Sequence, residues 1–118
     1  MKKSLSAYGY DGWQKEYGMS VIRVIDASEG IDFVGSRQIG EAVRERIERD
    51  LENGVDRITI DFAGVRSITQ SFADEVIGIL IRKFGSDYVR ARVFIVTHNE
   101  DIRSTLNFVA AYSRRKTA

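Results

Sequence analysis

The chain has 118 residues, of which 18 are Lys or Arg and 17 are Asp or Glu, with one His and no Cys or Pro. A chain of this length builds one hydrophobic core, so we expect one domain that carries its functional site on that core. The absence of Cys excludes disulfides and thiolate chemistry, a single His excludes two-His metal motifs, and no apolar run approaches the ~20 residues of a membrane span. We therefore expect a cytoplasmic protein without a membrane segment, metal or other cofactor.

An irregular, aromatic-rich arm is predicted for the first 18 residues, and residues 19–118 are predicted to form the domain. The arm carries Tyr8, Tyr10, Trp13 and Tyr17 and has neither a helical nor a strand period. Large aromatic side chains seldom stay fully exposed, so the arm either packs on its own domain or binds a partner. We favour packing on the domain, because Tyr and Trp are commonly anchored with their polar tips in water.

Six alternating elements follow the arm. Strand patterns alternate with helical i, i+4 patterns along the chain, and connections through helices favour parallel strands. The predicted fold is a small α/β single domain of order β-α-β-α-β-α, with a largely parallel or mixed sheet and helices packed on it. The predicted strands are residues 20–26, 55–62 and 90–97, and the predicted helices are residues 36–53, 71–84 and 99 to the end.

The helix boundaries and faces follow from local signals. Ser36 and Asn99 are predicted N-caps, and Gly54 and Gly85 are predicted helix ends. The charged residues of helix 36–53 form i, i+3 and i, i+4 pairs, which indicates a solvated face. The run 93–96 is continuously apolar, which predicts a strand covered on both faces. The predicted apolar positions of the last helix are Ile102, Leu106, Val109 and Tyr112.

Other polar features carry weaker chemical signals. The acids Asp26, Glu29 and Asp32 follow the first strand, but acids in such loops are usually solvated turn residues rather than cation ligands. His98 has no nucleophile or orienting group beside it in the sequence, so we expect no enzymatic role. The basic clusters lie at the termini, and residues 19–98 carry 11 basic against 13 acidic side chains, which argues against nucleic-acid binding.

The loop before the second long helix carries three hydroxyl groups, on Ser67, Thr69 and Ser71. Ser71 and Asp74 have the Ser-x-x-Asp spacing of a capping box, so Ser71 is the predicted N-cap. A hydroxyl at a helix N-terminus can also carry a phosphate, because free N–H donors and the positive end of the helix dipole lie there. Spacing alone favours the cap and leaves phosphorylation open.

The sequence around this loop resembles a known family. The matching features are the strand Ile58 to Phe62, the step Gly64-Val65 and the run Ile68-Thr69-Gln70-Ser71-Phe72-Ala73-Asp74-Glu75 before an apolar helix. They resemble the STAS-like domain family of unknown function and, more distantly, the STAS domains of anti-sigma factor antagonists. The resemblance covers roughly residues 20–112.

The resemblance implies a domain that binds a partner protein and is not itself an enzyme. In anti-sigma factor antagonists, a GHKL-type ATP-binding kinase phosphorylates a Ser or Thr before this helix, and phosphorylation dissociates the complex. Ser71 occupies the matching position, with Thr69 and Ser67 as less favoured acceptors. Where antagonists usually have Asp and Gly, this chain has Thr69 and Phe72.

The favoured hypothesis is therefore a non-catalytic protein-interaction module. Residues 63–71 and the exposed side of the following helix are expected to dock on a GHKL-type kinase or an anti-sigma-like protein. Ala73 and Gly78 are expected to offer flat contact surface, and a phosphate on Ser71 is expected to repel Asp74 and Glu75. The predicted partner-binding residues are Gly64, Arg66, Gln70, Asp74, Glu75, Gly78 and Arg82.

The sequence leaves two alternatives open. One is a small-molecule or nucleotide-binding domain that uses the helix N-termini at Ser36, Ser71 and Asn99. The other concerns self-association: strand 20–26 is a candidate exposed edge, which the arm could cover or through which it could exchange with a neighbour in a homodimer.

Overall fold

Strands and helices alternate along residues 18–117, which are the part of the chain that the computed structural model describes. The prediction of an aromatic arm lies outside these residues, apart from Gly18. The described strands are β1 (Met19–Arg23), β2 (Phe33–Val34), β3 (Arg57–Asp61), β4 (Ser67–Ile68) and β5 (Val93–Val96). The described helices are α1 (Val24–Ala27), α2 (Arg37–Glu52), α3 (70–84), α4 (Ser86–Arg92) and α5 (Glu100–Thr117). Helix α3 contains a π-helical turn, Asp74–Gly78, between Gln70–Ala73 and Ile79–Phe84.

The central sheet is parallel, which confirms the predicted α/β class. Its strand order is β1-β3-β5, and Ile60 at its centre pairs with Ile22 on one side and Ile95 on the other. Among residues 18–117, β1 and β5 are the outer strands of this sheet. Strands β2 and β4 form a separate parallel pair. The predicted order β-α-β-α-β-α is present, with the short elements α1, β2, β4 and α4 inserted into it.

The two faces of the central sheet have different surroundings. Ile22, Ile58 and Ile60 point to the inner face and are buried, whereas Met19 and Val21 point to the opposite face and are exposed. The inner face packs with α2, α3 and α5 into one continuous core. The largest fully buried side chains are Phe62, Phe72, Ile47, Ile58, Ile60, Leu80 and Ile102.

Four of the five helix boundaries predicted from caps and glycines are confirmed. The Ser36 hydroxyl accepts from the Ile39 N–H at 3.2 Å, and the Asn99 side chain accepts from the Ile102 N–H at 3.0 Å. Gly54 and Gly85 follow α2 and α3 with φ of +82° and +92°, a backbone conformation that favours glycine. The fifth predicted boundary, an N-cap at Ser71, is described below.

The predicted strand 90–97 starts later than expected. The chain forms helix α4 up to Arg92 and only then the strand, since Gly85 ends α3 and a new helix starts at Ser86. On strand β5, Val93 is buried, Phe94 and Ile95 are half-buried and Val96 is exposed. Within residues 18–117, the face that carries Phe94 and Val96 is therefore less covered than the continuous apolar run predicts.

Two predictions about helix faces also need correction. Tyr112 is exposed, while Ile102, Leu106 and Val109 are buried as predicted. The charged side of α2 is only partly solvated, because the Arg44 side chain is mostly buried against α3 and Asp50 is buried beside β1. The Asp50 carboxylate accepts from the Ser20 hydroxyl at 2.6 Å and thereby ties α2 to β1.

Candidate functional site

The three hydroxyl groups before α3 have three different environments. Ser67 lies in β4 and is half-buried. The Thr69 hydroxyl accepts from the Phe72 N–H at 3.0 Å and donates to the Gly35 carbonyl at 3.0 Å, so both its acceptor and its donor are used. Ser71 is the second residue of α3 and is half-buried, and its hydroxyl has no hydrogen-bond partner among residues 18–117.

The N-cap of α3 is therefore Thr69, and the prediction that Ser71 fills this role is wrong. Thr69 has the extended backbone of an N-cap, with φ of −97° and ψ of 163°, whereas Ser71 already lies within the helix. The bond from Thr69 to Gly35 joins residues 34 positions apart, so it cannot be read from local spacing. As a consequence, the Ser71 hydroxyl is released from a capping role.

Ser71 lies at a groove between α3 and α5. The groove has a volume of about 720 Å³ and is open to solvent. Its lining combines exposed aromatic side chains with basic residues and one carboxylate. The residues that line it are Arg37, Gln70, Ser71, Asp74, Arg82, Phe108, Val109, Tyr112 and Lys116.

A polar cluster connects the two helices at this groove. The Arg82 guanidinium donates to Asp74 Oδ1 at 2.9 Å and to the Ser113 Oγ at 2.8 Å. Ser113 is fully buried on the apolar side of α5, so this bond satisfies a polar group that water cannot reach. Arg37 also lies 3.6 Å from Asp74, which places that carboxylate between two guanidinium groups.

Because Gly78 has no side chain, there is room for this cluster beside it. A Cβ at position 78 would collide with Asp74 Oδ1 and would lie 3.0 Å from Ser113 Oγ and 3.1 Å from Arg82 Nη1. The expectation that Ala73 and Gly78 offer flat contact surface is wrong, because both residues are buried. Gly78 instead allows an Asp74–Arg82 ion pair to span the π-helical turn.

Glu75 is directed towards α2 rather than towards the groove. It pairs with Arg44 at 2.6 Å and with Arg37 at 3.0 Å, and the side chains of Glu75 and Arg44 are mostly buried. The sequence predicts that Asp74 and Glu75 repel a phosphate on Ser71. In the structure, arginine side chains already neutralise both carboxylates. Glu75 holds α2 and α3 together.

The remaining predicted partner-binding residues lie at two different places. Gln70 and Arg82 line the groove beside Ser71. Gly64 lies in the exposed turn after β3 with φ of +86°, and its backbone approaches Ile25. Arg66 is exposed and pairs with Asp32 at 3.5 Å, while its carbonyl accepts from the Asn99 side chain at 2.8 Å.

A second pocket lies at the carboxyl ends of β3 and β5, where a ligand of an open α/β sheet would be expected. It has a volume of about 530 Å³ and includes the turn at Gly64 together with His98 and Asn99. His98 is exposed, and the first turn of α5 carries Glu100 and Asp101, which disfavour a phosphate there. Asn99 is occupied with capping α5 and Ser36 with capping α2.

The acids of the first loop do not converge. Asp26 pairs with Arg23 at 3.8 Å and Asp32 pairs with Arg66. Within residues 18–117, no group of three or more His, Cys, Asp or Glu side chains is placed to hold a metal ion. No helix in the same range is both long and apolar enough to cross a membrane.

The sequence prediction missed the contribution of α5 to the groove. Phe108 and Tyr112 are 54% and 44% exposed, and they lie one helical turn apart beside the buried stripe of α5. Helical spacing could have indicated these two residues, because the buried positions 102, 106, 109 and 113 leave positions 108 and 112 on the adjacent side of α5. No pattern in the sequence indicates that Arg37 and Lys116 line the groove.

The parallel sheet with helices packed on it and the helix that follows β4 place the molecule among STAS-like domains. The family described as "STAS-like domain of unknown function (DUF4325)" matches residues 40–103, which is more than half of the chain. The chain therefore belongs to this family, as its sequence around Ser71 indicates. No curated protein and no solved structure matches the chain significantly.

Proposed function

We propose that this STAS-like domain is a non-catalytic module that binds a partner protein through the groove between α3 and α5, and that phosphorylation of Ser71 controls this binding. The observation that carries the proposal is the position of Ser71. Its hydroxyl lies at the groove, without a capping role and without a hydrogen-bond partner in the described part of the chain.

The groove has the composition of an interaction surface. Phe108 and Tyr112 supply exposed aromatic area, and side chains of this kind are enriched in protein interfaces. The charged residues Arg37, Arg82 and Lys116 surround them, while Asp74 is the one carboxylate in the lining. This excess of positive charge favours a partner whose docking segment is acidic and carries apolar side chains.

Phosphorylation of Ser71 would change the charge of this surface. A phosphoserine carries close to two negative charges at neutral pH, which would offset the net positive charge of the groove lining. The modified residue would also be compatible with α3, because negative charge is favourable in the first turn of a helix. An acidic partner would then lose its electrostatic attraction, and the complex would dissociate.

The proposed partner is a GHKL-type ATP-binding kinase or an anti-sigma-like protein. This follows the resemblance to anti-sigma factor antagonists, whose phosphoacceptor position Ser71 occupies. In this proposal, the partner binds ATP and catalyses phosphoryl transfer. This chain supplies the Ser71 hydroxyl and the docking surface.

The test uses the full chain together with a purified GHKL-type ATP-binding protein, the partner class that the resemblance implies. We expect mass spectrometry to place phosphate on Ser71 after incubation with ATP, and we expect Ser71→Glu to weaken the complex at least tenfold. Ser104→Glu is the matched control, because Ser104 is exposed on α5 outside the groove lining. An unmodified Ser71, together with unchanged binding of Ser71→Glu, would contradict the switch.

A second pair of variants tests docking separately from phosphorylation. Phe108→Ala is expected to weaken the complex, whereas Phe33→Ala is expected to leave it unchanged. The two side chains are equally exposed, at 54% and 53%, but Phe33 lies on β2. Equal effects of the two substitutions would show that the groove is not the docking surface.

A further inference from the structure

Arg37 contacts two carboxylates at the start of α3, and each of them has a closer arginine. The Arg37 guanidinium lies 3.0 Å from Glu75 and 3.6 Å from Asp74. Glu75 pairs more closely with Arg44, at 2.6 Å. Asp74 pairs more closely with Arg82, at 2.9 Å. The Arg37 side chain is also 56% exposed, and exposed ion pairs contribute little to stability, so Arg37 can turn to another anion and leave both carboxylates paired.

The groove lining within residues 18–117 contains two other cations, which are less suited to bind a new anion. Arg82 donates to the hydroxyl of Ser113, which is fully buried, so moving Arg82 would remove the hydrogen bond that satisfies this group. Lys116 lies in the last turn of α5 beside the ring of Tyr112. Its ammonium also lacks the planar fork with which a guanidinium holds two phosphate oxygens. Of the three cations, Arg37 is therefore the best suited to bind a phosphate.

The fold holds Arg37 close to Ser71. The Thr69 hydroxyl donates to the Gly35 carbonyl, and this bond joins the start of α3 to the loop immediately before α2. Arg37 is the first residue of α2, and both Arg37 and Ser71 line the groove. Asp74, which Arg37 already contacts, lies three residues after Ser71 on α3, a spacing at which the Cβ atoms are about 5–6 Å apart. A phosphate on Ser71 is therefore within reach of the guanidinium after a rotation of the Arg37 side chain.

We propose that, when Ser71 is phosphorylated, Arg37 leaves Asp74 and Glu75 and binds the phosphate in a bidentate ion pair. This inference rests on the proposed phosphorylation of Ser71 and assigns the residue that receives the phosphate. A phosphoserine opposite an arginine forms new charge-assisted hydrogen bonds, and this pair links α2 to α3 within the chain. Besides adding negative charge, the phosphate thereby removes Arg37 from the surface that an acidic partner contacts.

The test places phosphoserine at position 71 during translation of the full chain, so it needs no kinase. Phosphorus NMR then measures the second pKa of the phosphate, which is about 6 for phosphoserine. An opposite charge nearby favours the charged form, so removal of a bound cation raises this pKa. We expect Arg37→Gln to raise it by about half a unit to one unit relative to the phosphorylated chain without a further substitution. Arg37→Lys is expected to raise it less, because Lys keeps the charge and loses the fork.

The chains that are compared share all the other charges beside the start of α3, which belong to Asp74, Glu75, Arg44, Arg82 and Lys116. Arg49→Gln is the matched control: Arg49 is exposed on the same helix as Arg37, and its substitution removes the same charge about 18 Å further along the axis. It is expected to leave the phosphate pKa unchanged, because charges this far apart are screened at about 0.15 M salt. Circular dichroism confirms that each variant is folded.

Two results would overturn the inference. One is the same phosphate pKa with and without Arg37→Gln, and the other is an equal effect of Arg37→Gln and Arg49→Gln. Both are distinct from a failure of the proposed function, which would appear as an unmodified Ser71 after incubation with the GHKL-type protein and ATP.

Discussion

At the scale of single residues, two hydroxyl groups two positions apart differ in what they contact. Thr69 bonds to the Phe72 N–H within its own helix and to the Gly35 carbonyl in the loop before α2, so it fixes both the start of α3 and its position. Ser71 makes neither bond. Thr69 also stands where anti-sigma factor antagonists usually have Asp, and Phe72, where they usually have Gly, is fully buried in the core.

This difference predicts unequal effects of removing the two hydroxyls. Thr69→Ala is expected to lower the free energy of unfolding by about 1–2 kcal/mol, because it removes a helix cap. Ser71→Ala is expected to change it by less than about 0.5 kcal/mol, as substitutions away from such features usually do. Urea denaturation monitored by circular dichroism measures both values, and a larger loss for Ser71→Ala than for Thr69→Ala would show that the cap is misassigned.

At the scale of elements, the contact between α2 and α3 depends on a close approach and an ion pair. A Cβ at Gly40 of α2 would lie 2.7 Å from the Glu75 Cβ and 3.1 Å from the Phe72 carbonyl, so only glycine permits this distance. One turn further along α2, Arg44 donates to the Glu75 carboxylate at 2.6 Å and to the Glu75 carbonyl at 3.1 Å. The two helices are thereby held with the start of α3 against α2.

The Arg44–Glu75 pair predicts a stabilising role for Glu75. Glu75→Gln is expected to lower the free energy of unfolding by about 1–3 kcal/mol, because it leaves the mostly buried Arg44 without its nearest carboxylate. Glu41→Gln is the matched control: Glu41 lies 3.9 Å from the same guanidinium, but its side chain is 55% exposed, so we expect less than about 0.5 kcal/mol. Equal losses in urea denaturation would contradict this assignment.

At the scale of the whole molecule, the inner sheet face and the three long helices share one hydrophobic core. The core includes Ile60 at the centre of the sheet, Ile47 on α2, Leu80 on α3 and Ile102 on α5. Because no part of this core is separate, residues 18–117 are expected to unfold in one cooperative transition. Val109 in the groove lining belongs to this core, whereas Ser71, Phe108 and Tyr112 lie outside it, so these three side chains can change without loss of the fold.

Substitution at the centre of the core tests this cooperativity. Ile60→Ala is expected to lower the free energy of unfolding by about 2–5 kcal/mol and to keep a single calorimetric transition. Ile31→Ala, at an exposed apolar position, is expected to cost less than about 0.5 kcal/mol. The calorimetric and van't Hoff enthalpies should agree in each variant, and a second transition in Ile60→Ala would argue against one core.

The sequence by itself determined the properties that depend on neighbours along the chain. The i, i+4 stripe of α2, the caps Ser36 and Asn99, and the glycines after α2 and α3 all act within a few residues, so their patterns predicted the main helices correctly. The alternation of strands and helices likewise predicted a parallel sheet, because such connections allow few other arrangements.

The tertiary structure alone decided the features that join distant segments. Periodicity shows which side of an element is buried but not which element covers it, so the groove between α3 and α5 could not be predicted. The N-cap of α3 depended on Gly35, and the environment of Asp74 on Arg37, Arg82 and a π-helical turn. These contacts form only when the whole chain packs, and they place Ser71 at the groove with its hydroxyl unbonded within residues 18–117.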